Sequence, residues 1–133
     1  MKKKEIRRQK HRLKCLLQKW VEPLGMGAWR RALYFYYEDD VERFKGELGE
    51  VLFRTTASWP YEWIDIEVNV PLMVDIPDGE LEEYFIHELM HGLLNEMREN
   101  DIKHEDRVCT NLARAFRWVR KYAVDRGTDE EAS

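Results

Sequence analysis

Residues 78–98 constrain this chain more than any other stretch. Their spacing predicts a helix of about five turns, and Leu81, Phe85, Ile86, Leu89, Met90, Leu93, Leu94 and Met97 are spread nearly all round it. A helix that is apolar on every side is a buried helix. This one also carries His87, Glu88 and His91, and polar groups taken out of water without partners are costly. The fold must therefore supply partners for two imidazoles and a carboxylate in its interior. Residues four apart stack on one helical face, so His87 and His91 offer two imidazoles to a single ion, with Glu88 beside the first. The run His-Glu-Leu-Met-His is thus the arrangement of a zinc hydrolase, with two ligands and a carboxylate that takes a proton from water.

A catalytic zinc usually has three protein ligands and one open position. The longer pattern in which a Gly and a third His follow on the same helix is absent, because Leu94 and Met97 occupy those places. A carboxylate on the following helix is the other common solution. That helix is predicted over 104–125, on the stripe Val108, Leu112, Phe116 and Val119, and Glu105 lies on the same stripe at its start. Glu105 is the leading third ligand. His104 is the rival, and Asp101 and Asp106 are weaker options.

The rest of the chain reads as a helix over 4–22, with Ile6, Leu13, Leu16, Leu17 and Trp20 on one stripe, ended by Pro23 and Gly25. Strands follow at 28–38, 51–58 and 61–70. In the last of these Ile64, Ile66, Val68 and Val70 alternate with Asp65, Glu67 and Asn69. Pro71 and Pro77 bracket a connector with an extended piece at 72–76, and Asp78 suits the N-cap of the central helix. Asn100-Asp101 suits the turn after it. Helix, about three strands, then two helices predicts an α+β fold with a short, mainly antiparallel sheet.

The 133 residues fit one domain spanning 1–133. The net charge of −4 and pI near 5.6 make general nucleic-acid binding a poor default. Charge is uneven: the 1–14 end is basic, and the 126–133 tail is acidic and expected to be disordered. The basic end reads as the solvated face of a helix; an anionic partner, nucleic acid or a membrane surface, is the alternative. The two cysteines, Cys15 and Cys109, form no framework and suggest a reducing compartment. No signal peptide or membrane-spanning run is present, so a cytoplasmic protein is expected. The only serines are Ser58 and Ser133, and Ser58 sits in a Ser-Trp-Pro turn, which argues against a serine nucleophile. The run Tyr34-Phe-Tyr-Tyr37 reads as sheet packing rather than base stacking.

The stretch His87-Glu-Leu-Met-His91-Gly-Leu-Leu, with Glu105-Asp-Arg-Val108 and Leu112-Ala113, resembles the small gluzincin-like zinc metallopeptidases of phage and mobile-element genomes, which look like a minimal thermolysin core. Leu24-Gly-Met-Gly-Ala-Trp29 before a strand is similar to their first strand. The resemblance implies a zincin-like fold in which His87, His91 and Glu105 hold Zn2+ and Glu88 is the general base. In thermolysin-like enzymes an Asp four residues after the ligand Glu orients one histidine. Here that position is Cys109, which leaves Asn111 or a backbone carbonyl for the task. Tyr61, Tyr84 and His104 are the candidates for stabilising the oxyanion.

Two readings of function follow. The leading one is a zinc-dependent metallopeptidase acting on a peptide or protein held as an extended strand at a sheet edge. The alternative is a zinc-stabilised, non-catalytic binding or regulatory module on the same scaffold.

Overall fold

In the computed structural model, residues 1–95, 97 and 104–132 are described, the last nine by backbone alone. The chain is α+β, with the expected order of elements: α1 (Lys3–Trp20), β1 (Arg30–Tyr36), β2 (Lys45–Gly46), β3 (Gly49–Glu50), β4 (Phe53–Ser58), β5 (Trp63–Asn69), α2 (Val70–Met73), α3 (Asp78–Leu93) and α4 (Glu105–Ala132).

Three strands form one sheet in the order β1-β5-β4. The β4–β5 ladder is antiparallel, running from Phe53 opposite Val68 to Ser58 opposite Trp63. The β1–β5 ladder is parallel, from Arg30 opposite Trp63 to Tyr36 opposite Asn69. The sheet is therefore mixed where a mainly antiparallel one is expected. The cause is topological. The chain leaves β1, passes through the β2–β3 hairpin, enters β4, and returns into the middle of the sheet as β5. Being central, β5 is covered on its core face, and Ile64, Ile66 and Val68 are buried there as the alternation predicts. Asn69 departs from that pattern. It is fully buried, and its Nδ2 donates to the Val51 carbonyl at 3.2 Å and to Glu50 Oε1 at 3.4 Å. Val70 is buried as well, but it begins α2.

The piece expected to be extended at 72–76 begins instead with α2. Pro71 sits in its first turn, where a proline's missing N–H costs no helical bond. The N-cap of α3 is Pro77 rather than Asp78. The Asp78 carboxylate instead accepts from Arg12 Nε at 2.9 Å, and the same guanidinium reaches the carbonyls of Met73 and Ile76. Arg12 thus fixes α1 to the start of α3, so this charge of the basic end is committed internally. Lys2, Lys3, Lys4, Arg7, Arg8 and Lys14 remain exposed.

α3 lies against β4 and β5, with α1 and α4 beside it. Leu81, Phe85, Ile86, Leu89 and Met90 are buried in one core with Leu13, Trp20, Ile64, Ile66 and Val68. Phe85 meets Phe53 edge-on, ring centroids 6.0 Å apart. Gly92 lets the helix sit close: a Cβ there would lie 2.9 Å from Ile64 Cδ1. α3 is described as far as Leu93; the expected end near Arg98 and the Asn100-Asp101 turn lie outside the described residues.

α4 keeps only the first half of its expected stripe. Val108 and Leu112 are half-buried, whereas Phe116 and Val119 are exposed. The face that meets the core is Glu105, Cys109 and Ala113, spaced by four. The backbone continues as helix to Ala132, through a tail for which disorder is expected. Among the described residues, no helix is long and apolar enough to cross a membrane.

Candidate metal centre

α3 is not closed on all sides. Tyr84, His87, Glu88 and His91 follow one another at helical spacing and form a stripe that the core leaves open. They line a cleft of about 680 Å³ whose other walls include Phe53 and Thr55 of β4 and Asp106 and Thr110 of α4. β4 is an edge strand of the sheet, and Phe53 and Thr55 bring it to the wall of the cleft.

The two imidazoles face each other, ring centroids 4.7 Å apart and planes inclined at 70°. Their Nε2 atoms are 3.0 Å apart. Asp106 Oδ1 lies 2.9 Å from Nε2 of His87 and 3.2 Å from Nε2 of His91. Behind the rings, Nδ1 of His91 is 2.9 Å from Glu105 Oε1 and 3.5 Å from Cys109 Sγ, and Nδ1 of His87 is 2.9 Å from Thr110 Oγ1. Two i,i+4 pairs on α4 therefore grip two histidines that are themselves i,i+4 on α3.

Proton bookkeeping tests whether a cation fits. A carboxylate only accepts, so the 2.9 Å contact to Glu105 requires His91 to carry its proton on Nδ1. In the neutral ring its Nε2 is then a bare lone pair, and it faces a second bare acceptor, Asp106 Oδ1. The His87–Thr110 contact runs either way: with the hydroxyl donating, His87 Nε2 carries the proton and donates to Asp106 Oδ1; with Nδ1 donating, its Nε2 is a third lone pair. In that second arrangement three acceptors face one another at mutual distances of 2.9, 3.0 and 3.2 Å, a set that a cation among them satisfies. Bonds of 2.0–2.1 Å to a tetrahedral zinc place ligand atoms about 3.3 Å apart. The observed triangle is within a few tenths of an ångström of that, and imidazole nitrogen with carboxylate oxygen is a donor set that zinc accepts.

Glu88 completes the group. Its carboxylate and the two imidazoles offer atoms within 4.8 Å of one another. Thr55 Oγ1 donates to Glu88 Oε2 at 2.6 Å, which leaves the other carboxylate oxygen uncommitted to that bond. Burial pushes the Glu88 carboxyl above the usual carboxylate range, against the opposing pull of the Thr55 hydrogen bond and the neighbouring imidazoles.

His87, Glu88, His91 and Glu105 all gather here. Glu105, however, meets the Nδ1 side of His91, away from the two facing Nε2 atoms. Asn111 is exposed on α4 and orients neither ring; Glu105 and Thr110 occupy the places from which the rings are held. Among the oxyanion candidates, Tyr84 lines the cleft, half exposed. Tyr61 is 82% exposed and His104 is exposed with a φ of 71°, and neither lines it. Asp101 lies outside the described residues. Thr55 and Thr110 are the site residues that sequence reading misses. Thr110 carries a signal, standing one helical turn after Asp106 as Cys109 stands after Glu105. Thr55 carries none, because its approach to Glu88 depends on how α3 crosses β4.

No protein-family model, curated protein or solved structure matches the chain.

Proposed function

We propose that this chain is a zinc-dependent metallopeptidase of minimal zincin build, in which His87, His91 and a carboxylate of α4 hold the metal and Glu88 is the general base. The observation that carries this reading is the triangle of Nε2, Nε2 and carboxylate oxygen opening onto a cleft with Glu88 at its side. Zinc at such a set supplies Lewis acidity, polarising a carbonyl and acidifying water. The chain's own residues do the remainder. Glu88, anchored through Oε2 by Thr55, takes a proton on its other oxygen as water adds to the peptide carbonyl carbon. It returns that proton to the amide nitrogen as the C–N bond breaks. The β4 edge supports the binding of an extended peptide or protein segment by main-chain hydrogen bonds. Tyr84, which lines the cleft, is the hydroxyl we assign to the developing oxyanion. Cys15 and Cys109 form no disulfide, which supports the reading of a reducing compartment.

The test compares wild type with Glu88→Gln for zinc content and for cleavage of a peptide library. The variant should keep about one zinc per chain and lose hydrolysis by about 100-fold or more. Unchanged cleavage overturns the role of Glu88. A wild type that holds zinc and cuts nothing replaces this reading with the zinc-stabilised, non-catalytic module.

A further inference from the structure

Two groups of donors share His91. One comprises His87, His91 and Asp106 around the Nε2 atoms. The other comprises His91, Glu105 and Cys109 around Nδ1, with their ligand atoms within 4.8 Å of one another. A ring nitrogen that binds a metal leaves the other to be oriented by a hydrogen bond, so the two groups assign opposite roles to the same residues. We infer that Asp106 is the third metal ligand and that Glu105 is a positioning residue, holding His91 through Nδ1 with Cys109 packed beside it. This rests on the metal-centre reading above and specifies its ligands.

Three observations decide between the groups. First, only the Nε2 side uses both histidines. Asp106 Oδ1 is within 3.2 Å of each Nε2, while His87 turns its Nδ1 to Thr110. A metal at Nδ1 of His91 would leave His87 with no part in the site. Second, the cleft lies on the Nε2 side. His87, Glu88, His91 and Asp106 line it, and Glu105 and Cys109 do not. A site that must admit substrate needs an open position. The side chain of Asp106 is 82% exposed, whereas that of Glu105 is 10% exposed and Cys109 is fully buried. Third, Glu105 stands where it fixes the tautomer of His91. Its carboxylate accepts the Nδ1 proton and so frees the Nε2 lone pair. The i,i+4 geometry of α4 repeats the arrangement on each ring: Glu105 with Cys109 backs His91, and Asp106 with Thr110 flanks His87.

Cobalt(II) titration of the full chain, read by visible and near-ultraviolet absorption, tests this without recourse to activity. Wild type should bind one Co2+ with no thiolate-to-cobalt charge-transfer band, and Cys109→Ser should bind it with nearly the same affinity. Asp106→Asn should lose about 100-fold or more in affinity. Glu105→Gln should keep one Co2+ per chain at about 10- to 100-fold lower affinity, the usual cost of removing a group that orients a ligand. Asp106→Cys supplies a positive signal: it should create the charge-transfer band, and Glu105→Cys should not. Because Asp106 is at the surface, its variants do not disturb the core, and far-ultraviolet circular dichroism checks the fold of the Glu105 variants. A thiolate band in wild type that Cys109→Ser abolishes overturns the assignment. So does loss of binding in folded Glu105→Gln with binding intact in Asp106→Asn. No cobalt bound by wild type overturns both this inference and the metal-centre reading. The expected cobalt pattern without peptide cleavage overturns only the peptidase.

Discussion

In the proposed mechanism Glu88 depends on burial and on the hydrogen bond from Thr55. Its hydroxyl is 2.6 Å from a carboxylate that burial makes reluctant to ionise. Thr55→Val keeps the β-branched shape that suits β4 and removes the donor. A hydrogen bond to a charged group is worth about 1.5–3 kcal/mol. The variant is therefore expected to lose roughly 10- to 100-fold in kcat/KM, with zinc content unchanged, as steady-state cleavage and metal analysis would show. Loss of zinc instead would mean that Thr55 supports the ligands and not the base. Gly92, next to His91, works through packing. A side chain there runs into Ile64, so Gly92→Leu should destabilise the chain by about 1–3 kcal/mol through overpacking, seen as a lower urea midpoint at unchanged slope. The assignment at Glu105 and Asp106 shows where sequence reading stops at this scale. Both are acids in the first turn of one helix, and a step of one residue turns the side chain by about 100°. Which of them meets the Nε2 atoms depends on the angle at which α4 crosses α3, and local spacing carries no record of that angle.

At the scale of elements, Glu82 ties three helices together. Its carboxylate accepts from Lys19 at 2.6 Å and Trp20 at 3.1 Å on α1, and from Arg117 at 2.9 Å on α4. Burial alone would raise its pKa; the three donors more than reverse that, and the net shift is downward. A carboxyl whose pKa is lower folded than unfolded contributes stability that is fully present above its unfolded pKa. That contribution is lost as pH falls through the folded value. Glu82→Gln is therefore expected to cost about 1–3 kcal/mol near neutral pH. The difference from wild type should shrink as pH is lowered toward 3, which urea unfolding at several pH values would measure. A penalty independent of pH would remove charge from the explanation. Elements with one wet and one dry face were legible in the sequence. β5 reads at once from Ile64, Ile66 and Val68, and α1 from Leu13 and Trp20, because each presents its buried face at a fixed period. The misses arise where tertiary context decides. Pro71 reads as the start of a connector and instead lies in the first turn of α2. Phe116 and Val119 match the period of a buried stripe that ends at Ala113. The parallel pairing of β1 with β5 joins strands that are not neighbours in sequence.

For the molecule as a whole, the proposed metal centre lies at the junction of α3 and α4. α3 is packed on the sheet, and α4 meets α3 through the groups that surround His87 and His91. A metal bound across that junction favours the native state over the unfolded one. With free zinc about 1,000-fold above its Kd the gain is about 4 kcal/mol, or roughly 15 °C in Tm for a chain of this length. Scanning calorimetry with and without a chelator should show a drop of that order, and the Tm of His91→Ala should not respond to zinc. A Tm indifferent to chelation would mean that the junction holds without metal. Glu88, Thr55 and Asp106 take their proposed roles only with an ion at the Nε2 triangle. The most direct test is therefore elemental analysis of the wild-type chain after equilibration with zinc and removal of the free ion. About one zinc per chain, absent from a His87→Ala/His91→Ala double variant, is the result predicted. Wild type that emerges without metal, or a double variant that retains it, would contradict the assignment of this site.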